Sequence, residues 1–268
     1  MAILTLDQLW AAAKQAADIK KTASRTAIAN TWFSIFDQAG SPGAGTLAGS
    51  STTAGVVPTD ATAGYPTINP FGGTNEGYLS SVEFGSSVAC RIRLFDRLFL
   101  AGAYAFNANQ ALSGQPSYLS RIPGGAAINT AGETELWVEQ VTAATGNQAV
   151  NVTYTNELGT ASRTTGAVGV GAAPTVGRCW QLPLAAGDRG VAAVNNVVGS
   201  VATAGTFNVM VLRPLWTGRI KIANDGDIHD WFRTQGRKVF EDSALYMLIS
   251  PDSTATGIPD VRPIIAAG

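Results

Sequence analysis

Charge is what this sequence has least of. Charged residues make up 14% of its 268 residues, against roughly a quarter in an ordinary soluble domain. Lys and Arg number 18 and Asp and Glu 19, for a net charge of −1, so no global field draws the chain to DNA, RNA or an anionic membrane. A single histidine, His229, leaves little material for histidine-based catalysis or metal ligation. The only two cysteines, Cys90 and Cys179, are far apart and sit in "SSVACRIRLF" and "VGRCWQLPL". That setting suits two buried thiols better than a metal site, and nothing in the sequence marks the oxidising compartment a disulfide needs. Long apolar runs are also missing: "LFLAGAYAFNANQALSG", from Leu98, is interrupted by Asn107, Asn109 and Gln110 and flanked by Arg97 and Pro116. It falls short of a membrane span. The opening "MAILTLDQLW" lacks a basic n-region and meets Asp7 early, so the mature chain is expected to begin there.

What is present is small and uncharged. Residues 39–77 read "AGSPGAGTLAGSSTTAGVVPTDATAGYPTINPFGGTNEG", with only Asp60 and Glu76 for charge. Too poor in charge to solvate itself as a linker, and without ligand motifs, this stretch reads as an extended arm. Its apolar anchors are Val56, Val57, Tyr65, Ile68 and Phe71, which are expected to lie along a neighbouring chain. Before it, Thr5 and Gln8 have capping-box spacing, and Leu6, Leu9, Trp10, Ala13, Ala16 and Ala17 recur at the helical period. This predicts a helix over 6–21, and "SRTAIANTWFSIFDQAG" predicts a second that ends at Gly40.

Beyond the arm, "GYLSSVEFGSSVACRIRLFDRLFLAGAYAF" mixes alternation with a longer apolar run and reads as strand, turn, then strand or short helix. From Glu133 the two-residue period is clean: "ETELWVEQV", "QAVNVTYTN", "ASRTTGAVGV", "RCWQLPL", "VAAVNNVVGSV" and "GTFNVMVLRPLW" read as successive strands with glycine-containing turns. The fold class expected is mainly β, an antiparallel sandwich or jelly-roll-like domain with N-terminal helices and a long extended arm. The expected segments are 1–40 helical, 41–77 arm, 78–129 mixed strand and loop, 130–216 β domain and 217–268 C-terminal mixed structure. In the last of these, Asp227 is the expected N-cap of a short helix carrying Ile228, Trp231 and Phe232, and "ALYMLISPD" a buried strand.

The chemical motifs fail one by one. Asp225, Asp227 and His229 alternate like metal ligands, but Asp230 stands where a calcium loop needs glycine and Gly236 where it needs a bidentate glutamate. "GVGAAP" at 169–174 has Pro174 in place of the third glycine of a dinucleotide fingerprint and no helix behind it. "NVT" at 151 matches a glycosylation acceptor but lies in a strand. An enzyme would need His229 as the base or a carboxylate pair brought together by the fold from residues such as Glu135, Glu139, Asp225 and Asp227. No catalytic, cofactor or metal residue is assigned. Trp137, on the side of its strand shared with Glu135 and Glu139, is expected either to face solvent as a contact for a neighbouring subunit or a glycan or to be covered by another element such as the N-terminal helices.

Taken together, the weakly charged Gly/Ala/Ser/Thr-rich chain, the arm and the β domain resemble virion structural proteins of tailed bacteriophages. Stretches such as "LFDRLFLAGAYAFNA", "VNVTYTNELGTASRTTG" and "VGRCWQLPLAAGDRGV" are similar to them in style. The resemblance implies a non-enzymatic protein of the virion that assembles with copies of itself and with other capsid or tail proteins. A capsid decoration protein is the first expectation, a tail-tube or connector subunit the second, and a carbohydrate-binding adhesin module a third.

Overall fold

The computed structural model describes residues 3–124, 133–172, 175–202 and 204–268. It is mainly β, with several antiparallel sheets that include a six-stranded barrel. The expected boundary near 130 and the Ala173–Pro174 end of "GVGAAP" lie outside the described residues. The chain divides into two compact units: Met1–Thr46, Thr59–Asp96 and Leu215–Gly268 form the first, Leu47–Pro58 and Arg97–Pro214 the second. Consecutive segments cannot show this interleaving, because the pairings that build each unit join strands distant in sequence.

The N-terminal helices are the main correction. The capping box exists, with Gln8 N donating to Thr5 Oγ1 at 3.2 Å and Thr5 N to Gln8 Oε1 at 3.1 Å. The helix nevertheless spans only Leu6–Ala11. At Ala12 the backbone turns extended, and Ala13–Ala16 pairs antiparallel with residues 264–267. A sheet edge thus outcompetes helix propensity, which is worth only tenths of a kcal/mol per residue. The second predicted helix is absent: Asn30 adopts a left-handed φ of 60°, and Trp32–Ser34 is a strand on Leu245–Pro251. The short C-terminal helix is Trp231–Thr234, and its cap is Asp230 rather than Asp227, with Ile228 placed in the preceding strand.

In the first unit, Gly77–Ser86 and Pro259–Ala267 pair along nearly their whole length. Asp225–His229 and Lys238–Val239 flank the former strand, and Ile19–Lys21 and Ala13–Ala16 the latter. Leu245–Pro251, buried at every residue, pairs with the start of Cys90–Ala105. Their apolar faces, among them Val82, Phe84, Ile92, Leu94, Met247 and Ile249, share one core, each large side chain contributing about 1.5–3 kcal/mol on burial.

In the second unit, Asn147–Asn156 carries Val191–Gly199 on one side and Arg163–Thr164 and Val168–Ala172 on the other. The "NELGT" turn closes on Asn156, whose Oδ1 accepts from Leu158 N at 3.1 Å and Thr160 N at 2.9 Å. Glu135–Thr142 lies between Arg178–Leu182 and Thr206–Ile220. Residues 136–140 are all buried, so this strand has no wet face.

Residues 47–58, the middle of the predicted arm, belong to this second unit and are clamped at both ends. Asn208 Nδ2 donates to Leu47 O at 2.6 Å and to Glu139 Oε2 at 3.0 Å, while its Oδ1 accepts from Gly49 N at 3.0 Å. Glu139 in turn holds Arg97 at 3.2 Å, both side chains fully buried. At the other end, buried Arg121 donates to Pro58 O and, at 2.7 Å, to Arg97 O. Between the clamps, Val56 exchanges backbone hydrogen bonds with Leu100, and Gly102 N donates to Ser51 O at 3.0 Å. Contact here is backbone on backbone: a Cβ on Gly49 would fall 2.7 Å from Gly102 N. Replacing Asn208 by Ala should cost roughly 1–3 kcal/mol, since Leu47 O and Glu139, both buried, and the part-buried Gly49 N each lose a bond. Chemical denaturation measures that loss, and amide exchange should accelerate at Gly49 and Gly102 while residues 147–156 keep their protection.

Candidate functional site

Most residues singled out by the sequence are occupied inside the fold. Tyr65 and Ile68 are buried in the first unit, Tyr65 with its ring 4.6 Å from Phe36 and Ile68 N donating to Asp60 Oδ2 at 2.9 Å. Phe71 packs partly buried on the same core, and its N donates to Glu241. In the second unit, Val56 is half-buried and Val57 packs on the core. Trp137 is 1% exposed, with Nε1 donating to Glu135 Oε2 at 2.8 Å. Alternation assigned it to a wet face, but both faces of its strand are covered.

The carboxylates considered for catalysis fall in different units. Glu135 and Glu139 serve Trp137 and the Arg97–Asn208 clamp in the second. Asp225 and Asp227 lie in the first, on the edge strand Asp225–His229. There Gly226 N donates to Asp225 Oδ1 at 2.9 Å and Ile228 N to Asp227 Oδ1 at 2.8 Å. Each aspartate thereby takes up an amide that a further strand would need, a known way of blunting a sheet edge. Among the described residues, no group of three or more His, Cys, Asp or Glu is arranged to hold a metal ion.

His229 is instead part of an aromatic cluster. Its Nδ1 accepts from Trp216 Nε1 at 2.9 Å, and its ring meets Phe84 and Trp216 edge to face. Accepting at Nδ1 fixes the neutral tautomer with its proton on Nε2, which faces Asp227 Oδ2 at 3.7 Å. Burial, with Arg233 assisting, pulls the imidazole below its ordinary range, against the opposing pull of Asp227 and Asp230.

What the sequence did not single out as a contact is an apolar surface on the first unit. The helix Leu6–Ala11 buries none of its residues. Leu4, Leu6 and Trp10 are 81%, 63% and 86% exposed. Lys14 Nζ closes the helix by donating to the carbonyls of Leu9, Trp10 and Ala12 at 3.0–3.2 Å. One cleft beside the helix, about 400 Å³, is lined by Leu6, Leu9, Trp10 and Ile264, and another, about 360 Å³, by Ile3, Ala11, Ala12 and Ala267. The apolar period was legible in the sequence, but whether that face is covered was not. Six residues form too short a helix to be stable by propensity alone, and the capping box at one end and Lys14 at the other hold it.

No family model matches the chain, and no curated protein matches it. Among solved structures it is similar to the infectious bursal disease virus Gx strain at 10% identity, over 95% of this chain and 80% of that one, with a TM-score of 0.16. It is likewise similar to infectious bursal virus-derived T=1 particles at 9% identity, over 96% and 77%, with a TM-score of 0.17. Scores this low carry no argument about fold or role.

The His229 geometry yields a pH prediction. The folded-state value lies below the unfolded one, so the folded protein binds the proton less readily. Its contribution is fully present above about pH 6.5, the ordinary histidine value, and is lost as pH falls below it. Protonation also removes the acceptor from Trp216. Melting temperature should fall between pH 7 and pH 5, and His229→Gln, whose carbonyl oxygen does not titrate, should flatten that slope; equal slopes would show that the bond does not matter.

Proposed function

We propose that this chain is a non-enzymatic structural protein of a bacteriophage virion, made in the host cytoplasm and built into the particle with copies of itself and other virion proteins. The position proposed first is a capsid decoration protein; a tail-tube or connector subunit is the alternative. The observation that carries the assembly reading is the helix Leu6–Ala11, which buries nothing and presents Leu6 and Trp10 with neighbouring Leu4. An exposed apolar cluster flanked by clefts is a contact surface in search of a cover. Trp10 alone offers roughly 200 Å² of the kind of area that dominates interfaces. Low overall charge adds to this, because little desolvation opposes burial of a large surface against neighbours. A glycan-binding reading loses its stacking residue with Trp137 buried.

Trp10→Ser should leave the melting temperature nearly unchanged, because the side chain packs on little within its own chain. It should weaken association of the purified protein, or its incorporation into particles, by at least tenfold, about 1.4 kcal/mol. Sedimentation and particle-bound fraction measure this, and electron microscopy of labelled particles separates head from tail. Undiminished association would remove the helix from the interface.

A further inference from the structure

The edge strand Asp225–His229 is joined to the first unit by very little. Its first four residues are exposed, and His229 is half-buried. The core of this unit takes Ile220 and Val239 but no apolar side chain from residues 221–238. Register places Gly226 opposite Gly85, so mid-strand there is no cross-strand side-chain pair. Gly226 N and Ile228 N donate to the aspartates that precede them. Alternation turns the amides of Asp225, Asp227 and His229 toward Ser86, Phe84 and Val82 of the neighbouring strand.

What reaches inward is the His229 imidazole. It meets Phe84 edge to face at 4.9 Å and Trp216 at 5.5 Å, and its Nδ1 accepts from Trp216 Nε1 at 2.9 Å. Both partners belong to the core, at 4% and 6% exposure. The charges around the ring come from its own strand and from the residues that follow. Asp227 lies 3.7 Å from Nε2 and is itself paired to Arg233 at 3.5 Å, and Asp230 caps the helix Trp231–Thr234. The other two elements packed on the ring, Gly77–Ser86 and Thr206–Ile220, turn Phe84 and Trp216 toward it. Among the described residues, no charged group acts on it from either.

We propose that Asp225–His229 is an acid-released edge: protonation of His229 unfastens this strand from Gly77–Ser86 while the rest of the first unit stays folded. An imidazolium carries a proton on both nitrogens, so Nδ1 turns from acceptor to donor and confronts the Trp216 N–H. Burial, with Arg233 assisting, already disfavours the charged ring, and Asp227 and Asp230 only partly offset this. Once the strand lifts, the ring is in water and regains its ordinary affinity for the proton, so acid favours the lifted form. The movement has fixed ends. Ile220 is buried on one side, and on the other buried Thr234 donates through Oγ1 to Leu79 O at 2.8 Å. Lifting bares backbone groups of Val82, Phe84 and Ser86, the kind that a strand added from outside takes up. The device goes beyond the assembly reading and does not depend on it.

His229 is the chain's one histidine, so its ring-proton NMR signals titrate without overlap from another. Hydrogen exchange of the full chain at about pH 7 and about pH 5, expressed as protection factors to remove the intrinsic pH dependence, reads the opening. Protection at Asp225, Asp227 and His229 should fall severalfold toward the lower pH, with about 25-fold the ceiling for a group titrating near 6.5 when released. The fall should follow the His229 titration. Ile249, in the buried strand Leu245–Pro251, should keep its protection. His229→Gln, whose carbonyl oxygen accepts at every pH, should leave Asp225 and Asp227 equally protected at both. Edge protection that ignores pH, that falls as far in His229→Gln, or that falls in step with Ile249 overturns the proposal. The last outcome would mean unfolding of the whole unit in place of a released edge. Should His229→Gln fail to fold, the wild-type edge, compared with Ile249 along the His229 titration, still decides.

Discussion

A segment without secondary structure still carries one donor and one acceptor per residue, and inside a fold each must find a partner. That constraint shapes this protein, because its arm is long, rich in Gly, Ser and Thr, and embedded. The partners are buried side chains aimed at backbone. In the second unit Asn208 and Arg121 hold the two ends of residues 47–58. In the first, Lys21 is almost wholly buried, and its ammonium donates to four carbonyls, those of Phe36, Gln38, Pro42 and Gly43, at 3.1–3.3 Å. Burial pulls this lysine below its ordinary range, so the charge is kept inside at a cost, and the carbonyl cage is what offsets it. Lys21 thereby does for residues 36–43 what a bound cation would do.

Once its backbone is satisfied, the arm can turn its apolar side chains inward. Tyr65 covers Phe36 and Ile68 joins the first unit's core, while Val57 packs on the second's. Gln15 shows the same economy on a smaller scale: its amide donates to Asn69 O at 2.8 Å and accepts from Asn69 N at 2.7 Å, standing in for a strand neighbour. The anchors the sequence offered to another chain are therefore largely spent at home. Leu4, Leu6 and Trp10, on and beside the N-terminal helix, stay exposed instead.

The β part of the fold was readable because a two-residue period survives in most strands. "QAVNVTYTN" buries Val150, Val152 and Tyr154 just as it alternates, and the strands Arg178–Leu182, Val191–Gly199 and Thr206–Ile220 cover the expected segments, whereas "ASRTTGAVGV" splits into Arg163–Thr164 and Val168–Ala172. The N-terminus misled because the same residues satisfy a helical period up to Ala17, and only the distant strand at 264–267 decides that residues past Ala11 pair instead. Trp137 misled for a related reason: alternation reports which residues share a side, and says nothing of whether that side is covered. The exposed apolar surface was half legible in the same sense. Leu6 and Trp10 were visible as one apolar face, and their lack of cover is a property of the rest of the chain.

Scarcity of charge then takes on a different meaning. Among the described residues seven charged side chains, Lys21, Asp96, Arg97, Arg121, Glu139, Glu157 and Arg213, are buried, so the surface is poorer in charge than the composition implies. Buried charges of this kind are costly to desolvate, and removing one leaves its partner stranded. On a surface so thinly charged, a few side chains of one sign on a single face are not averaged away by their neighbours. The local charge of a face therefore matters more to an approaching molecule than the net charge of −1, because charges farther away than a Debye length of ~10 Å are largely screened.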